Sequence, residues 1–122
     1  MWHISERKKS VVEIRFERPK DIDEVRLLND KAFGQPDEGR IVDKLRKSCN
    51  GILSLVAISN NKIVGHIIFS PVTIETQEDV IEGMGLDPMA VLPELQNQRI
   101  GSKLVKEGLR IIRNTSCPFV IV

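Results

Sequence analysis

The sequence predicts an α+β fold: a mixed, mostly antiparallel sheet with helices on both faces, in the α/β three-layer manner. Three observations carry this. Apolar residues recur with a period of two in some stretches and a helical period in others, in the order strand, two helices, antiparallel strands, strand, helix, strand. Asn60-Asn61 between two apolar runs marks a tight hairpin, because asparagine tolerates positive φ better than most residues. The last strand, helix and strand form a βαβ unit, whose right-handed crossover makes strands 86–92 and 117–122 parallel.

Residues 1–10 are mixed and charged and read as a flexible leader, followed by a single domain over 11–122. In the first strand, 11–17, Val12, Ile14 and Phe16 alternate with Glu13, Arg15 and Glu17, and Pro19 ends it. Asp21 followed by Glu24 resembles a capping box, and Ile22, Val25, Leu28 and Ala32 keep helical spacing up to Gly34. A shorter helix starts at Asp37-Glu38, turns Ile41, Val42 and Leu45 inward and ends near Ser48, before the breaker Asn50-Gly51. The strands 53–58 and 63–74 follow; Gly65 and Ser70-Pro71 interrupt the second, where the lost N–H points to a bulge or an edge. Residues 75–85 read as an acidic loop with a strand-like piece at Val80-Ile81. From Gln98 to Arg113, Ile100, Leu104, Val105, Leu109 and Ile112 share one helix face; Gly108 falls inward, costs roughly 1 kcal/mol of helix propensity and implies close packing on the sheet. Residues 117–122 are a short buried strand.

A chain of 122 residues, 41% apolar and 29% charged, is a globular domain with room for one core. The formal net charge of +1 gives no argument for nucleic acid or an anionic membrane, so any basic site is local. No run reaches the ~20 apolar residues needed to span a bilayer and no signal-peptide core is present, so the expected location is cytoplasmic. Cys49 and Cys117 lack a metal or disulfide spacing and read as reduced thiols in or near the core.

The stretch from Met89 to Lys103 is where chemistry is expected. A strand ends there and opens an amphipathic helix whose first turn holds Arg99 and Lys103 but no acid. Exposed N–H groups and the macrodipole favour an anion at a helix start, and here it must come from a ligand. A solvated helix face is the alternative for the two cations.

With its flanking motifs, the chain resembles the GNAT superfamily of N-acetyltransferases, near a bacterial predicted-acetyltransferase subgroup. The resemblance rests on Ala32-Phe33-Gly34-Gln35-Pro36-Asp37-Glu38, on Val64-Gly65-His66-Ile67-Ile68-Phe69-Ser70-Pro71-Val72 and on Ala90-Val91-Leu92-Pro93-Glu94-Leu95-Gln96. The family's phosphate-cradling pattern is Gln or Arg, two residues, Gly, any residue, then Gly or Ala. Gln96 and Gly101 fit it, whereas Arg99 takes the first glycine's place, where arginine is expected to disfavour positive φ.

The resemblance implies acetyl-CoA as co-substrate and an amine-bearing acceptor of unspecified identity. The pantetheine arm would pair with the backbone of Met89, Ala90 and Val91. The pyrophosphate would sit on N–H groups of Gln98, Arg99, Ile100, Gly101 and Ser102, with Lys103 or Arg99 adding charge, and a backbone N–H near Val91 would face the oxyanion. Candidate bases are Glu82 and Asp87, each an ordinary carboxylate in the alternative reading, and His66 in its apolar run reads as a core histidine rather than a catalytic one. The family's usual acid is a tyrosine on a later helix; this chain has no tyrosine and ends earlier, without the family's last strands and helix. That ending leads to an expectation of self-association over the last strand's edge, or of a shortened chain. A non-catalytic acyl-CoA-binding or interaction module is the alternative function. A nucleotide-binding βαβ unit is disfavoured by the single loop glycine.

Overall fold

The computed structural model describes residues 11–34, 40, 42 and 51–122. The expected leader, the motif residues Gln35 to Glu38, Cys49 and most of the expected second helix lie outside the described residues. Arg40 and Val42 are helical, and Val42 is buried.

Among the described residues the sheet has five strands in sequence order, β1 (Glu13–Phe16), β2 (Leu53–Ser59), β3 (Lys62–Glu75), β4 (Val80–Val91) and β5 (Val120–Ile121). β1 to β4 pair antiparallel, and β4 and β5 pair parallel, as the βαβ order predicts. Helix α1 (Ile22–Phe33) covers one face and α2 (Ile100–Arg113) the other. Alternation along β3 shows this: His66 meets Asn29 of α1, while its neighbour Gly65 lies under Ile100 and Leu104 of α2.

Asn60 (φ 54°) and Asn61 (φ 62°) close the β2–β3 hairpin, with Ser59 paired to Lys62. Two successive left-handed residues match the right-handed twist of the strands they join. Gly34 (φ 73°) ends α1 as expected, its N–H donating to Asp30 O at 2.8 Å.

The α1 start differs from a capping box. Asp21 accepts from Arg15 Nη1 (2.7 Å), Arg15 Nη2 (3.1 Å) and the Arg18 N–H (2.7 Å), and so tends the turn before the helix. Glu24 Oε2 accepts from the Ile63 N–H at 2.9 Å, fastening α1 to the start of β3. The Arg15 guanidinium holds the Asp21 carboxyl below its ordinary value, against the opposing effect of burial. The same pairing explains why the period-two reading of β1 fails at its end: Arg15 is partly buried against Asp21, and Phe16 is 59% exposed.

Residues 75–85 are not a loop. β3 and β4 run together out to Glu75 and Val80, turning through Thr76, whose Oγ1 accepts from the Asp79 N–H at 3.0 Å. The glycines that suggested a loop are strand positions under side chains: a Cβ on Gly83 would lie 2.6 Å from the Phe119 ring, and one on Gly85 2.9 Å from Val72. Pro71 pairs in register with Met84, but β2 has ended opposite Phe69, so Pro71 stands on a local edge. The bulges lie elsewhere, at Val64 beside Gly65 and at Asp87-Pro88, two residues of β4 facing Ile68 alone.

The core lies between sheet and helices around Leu55, Ile67, Phe69 and Leu104. Phe69 reaches α2 at Gly108, where a Cβ would sit 2.3 Å from the ring, so the inward glycine serves close packing as its position implied. β5 is shorter and less covered than expected, with Ile121 50% exposed.

Candidate functional site

β4 lies against β3 along its length, but β5 accompanies it only at Met84 and Gly85, with Met84 N–H donating to Phe119 O at 3.1 Å. From Leu86 to Val91 that side of β4 has no strand partner among the described residues. The Leu92 N–H donates to Val64 O at 2.9 Å, so alternation along the ladder turns the N–H and C=O of Val91 and Met89 away from β3, to the open side. Gln96 Nε2 donates to Val91 O at 3.2 Å and covers one of these groups. Ala90, between them, is buried and turned into the sheet.

Beyond Leu92 a short turn over Pro93–Leu95 leads to Asn97 (φ 71°) and Arg99 (φ 66°), both left-handed. Positive φ at Arg99 corrects the expectation that arginine disfavours it. The bend that starts α2 here overrides a penalty of roughly 1–2 kcal/mol for an L-residue. The first intrahelical bond runs from Lys103 N–H to Arg99 O (3.1 Å), and Arg99 offers no side-chain cap. The N–H groups of Ile100, Gly101 and Ser102 are therefore left to whatever approaches, with no acid in the turn to answer them.

The turn separates two pockets. The first, of about 600 Å³, is lined by Met89, Val91, Gln96, Arg99, Ile100, Gly101 and Ser102, most of the predicted site. Leu95, Asn97, Val105 and Lys106 also line it and were not foreseen; Lys106 was findable, since it follows Ser102 by one helical turn on the polar face. Gly101 keeps this wall low, because a Cβ there would meet Met89 Cε at 3.1 Å. The second pocket, of about 660 Å³, takes the remaining predicted residues Gln98 and Lys103 and shares Leu95, Arg99 and Ile100 with the first. Ala90 lines neither.

The two candidate bases are in different settings. Asp87 is half-buried in the β4 bulge, where its Oδ2 accepts from the Ser70 hydroxyl. Glu82 is exposed far along the hairpin, opposite Thr73. His66 is fully buried; Nδ1 accepts from Asn29 Nδ2 (3.3 Å), which also donates to Val25 O, so Nε2 donates to Ser54 Oγ (2.8 Å). It is a core histidine in its described contacts. Cys117 is free and half-buried, its thiol donating to Phe119 O at 3.1 Å. Among the described residues no His, Cys, Asp and Glu group could hold a metal, and no helix is long and apolar enough to cross a membrane.

The arrangement offers an extended amide-bearing chain a free strand edge and, immediately beyond it, offers an anion an uncapped helix start. Comparison with known proteins gives the family. The model of the acetyltransferase (GNAT) domain matches residues 13–122. YjhQ of Escherichia coli, named an uncharacterized N-acetyltransferase, is 34% identical over 104 residues, 84% of this chain and 58% of its own length. This chain thus spans little more than half of that relative. Among solved structures, a GNAT family acetyltransferase from Brucella melitensis in complex with acetyl-CoA superposes with a TM-score of 0.79 at 38% identity, covering 92% of this chain and 75% of the other. The N-acetyltransferase YhbS of Escherichia coli in complex with CoA gives a TM-score of 0.80 at 28% identity, covering 93% and 62%.

Proposed function

The chain belongs to the GNAT acetyltransferase domain family, and from that premise we propose that it binds acetyl-CoA along β4 and the α2 start and transfers the acetyl group to a primary amine. One observation carries the reading: the open backbone edge at Met89 and Val91 runs directly into the uncapped first turn of α2. The CoA complexes of the two superposed relatives support it.

Acetyl-CoA, when bound, supplies an acetyl group activated as a thioester. In this reading the outward N–H and C=O groups of Met89 and Val91 hold the pantetheine amides as an added strand, which displaces Gln96 from Val91 O. The N–H groups of Ile100, Gly101 and Ser102 face the pyrophosphate, with Arg99 and Lys106 beside it. One outward N–H near Val91, left over by the pantetheine amides, would face the carbonyl oxygen on which negative charge develops as the amine attacks. A lysine-like amine, with an ordinary pKa near 10.4, must shed a proton. Asp87 is better placed to take it than Glu82, because it sits half-buried two residues before Met89 with Ser70 orienting one oxygen.

Thermal unfolding with increasing CoA tests the binding half. At about 100 times Kd the stabilisation is near 2.7 kcal/mol, and no stabilisation at millimolar CoA refutes the reading. Turnover with a panel of small primary amines tests the other half, and Asp87→Asn should lower it while CoA affinity holds. The second reading is a non-catalytic acyl-CoA-binding module that keeps the same cradle. CoA binding without turnover of any amine would support it.

A further inference from the structure

The second pocket is not needed for a pantetheine arm or a pyrophosphate, yet it has the chemistry of a nucleotide site. Its floor is apolar, from Val12, Val64 and Leu92, and three cations line it against one acid, Glu94. Lys62, Arg99 and Lys103 come from the β2–β3 hairpin, the turn and α2, and none forms an ion pair among the described residues. Lys62 owes its place to the left-handed pair Asn60-Asn61, which closes the hairpin and delivers the next residue to the pocket wall. The shared walls Leu95, Arg99 and Ile100 make the two pockets one surface wrapped around the first turn of α2.

Resting on the acetyl-CoA reading, we infer that Lys62, with Lys103, holds the 3′-phosphate of the bound CoA and makes this chain selective for CoA over its 3′-dephospho form. The nucleoside end bends past Arg99, its ring lies on the apolar floor, and the phosphomonoester, carrying close to two negative charges at neutral pH, meets the unpaired ammonium groups. Glu94 stands on the same wall and repels a second anion, so the site takes one phosphate rather than a polyphosphate tail. The same cations would serve a free phosphate ion, and the test separates these sources.

The experiment is calorimetric titration of the whole chain with CoA, 3′-dephospho-CoA and inorganic phosphate, for the wild type and Lys62→Ala. Lys62 is at a hairpin end with ordinary backbone dihedrals, so the substitution leaves the fold intact, which circular dichroism checks. The wild type should prefer CoA by roughly fivefold or more, the size of a charge-assisted contact at a partly exposed site. Lys62→Ala should bring the two ligands within about twofold, weakening CoA and leaving dephospho-CoA unchanged, and Lys62→Arg should restore the preference. Equal affinities in the wild type, or equal weakening of both ligands by Lys62→Ala, overturn the inference while CoA binding itself stands. Phosphate binding that survives saturation with CoA overturns it too, since the pocket would then hold a separate ion. If neither nucleotide binds, the reading beneath it falls as well.

Discussion

Replacing Arg99 by glycine separates two roles that the residue combines in the wild type. Its backbone stands at φ 66° and ψ 16°, which costs an L-residue roughly 1–2 kcal/mol, while glycine adopts it freely. Glycine also loses about 0.5–1 kcal/mol more entropy on folding. The balance is a stabilisation of about 0.5–1 kcal/mol, or a rise in Tm of roughly 2–5 °C for a domain of this size. The guanidinium, which lines both pockets, disappears, and one charge-assisted contact worth about 1 kcal/mol at an exposed site corresponds to about fivefold weaker CoA binding. Arg99→Ala is the control: it loses the same contact but keeps the left-handed strain, so its affinity should match the glycine variant and its Tm should not rise. Scanning calorimetry and isothermal titration of the three proteins read both effects. A glycine variant less stable than wild type by more than about 1 kcal/mol would refute the conformational argument. A loss of CoA affinity far beyond tenfold in both variants would show that the side chain, rather than the backbone cradle, carries the phosphate.

Gly108→Ala should destabilise by about 1–2 kcal/mol: the methyl gains up to roughly 1 kcal/mol of helix propensity but overpacks a fully buried Phe69 ring, and a urea midpoint that rises would contradict it. Gly101→Ala should fold normally, because Met89 Cε, the flexible end of a side chain, is what it meets at 3.1 Å; CoA binding should still weaken several-fold in titration, as the methyl enters the cofactor wall, and unchanged affinity would count against that wall. Arg15→Ala should cost about 1–3 kcal/mol at pH 7. The Asp21 carboxyl is held below its ordinary 3.8 in the folded chain, so the unfolded chain takes the proton first. The stability is thus full above about pH 4 and is lost as pH falls through the folded value. Urea unfolding at pH 7 and pH 3 should show the penalty shrinking in acid; an equal penalty at both would exclude the ion pair as its source.

What was legible in the sequence was whatever one element decides by itself. Asn60-Asn61 announced the hairpin because the dihedrals that asparagine permits are the ones the turn needs, and the apolar stripe from Ile100 to Ile112 fixed α2 and its buried face. Gly83 and Gly85 misled because glycine in a strand and glycine in a loop look alike until the covering Phe119 and Val72 are known, and Phe119 lies more than thirty residues away in the chain. Asp21 and Glu24 had the spacing of a capping box, but Arg15 and Ile63 claimed them from outside the helix. The candidate cofactor residues came in three pieces of the stretch 89–103, and that stretch does not reveal which of them face the same pocket. Met89 and Val91 fall on one side with Gly101, Gln98 and Lys103 on the other, and Lys62 joins the latter only through the sheet.

The contact between Gly108 and Phe69 also acts as a mechanical detent. Gly108 lies two helical turns, roughly 10 Å, from Gly101, and the ring seated in its notch prevents α2 from sliding or rolling over the sheet. The helix is stiff over that span, so the notch fixes at a distance how far its leading N–H groups stand from the edge of β4. Substitutions at Phe69 or Gly108, which line neither pocket, would thus displace the leading N–H groups as a rigid body. The spacing of the two halves of the site is set from the core.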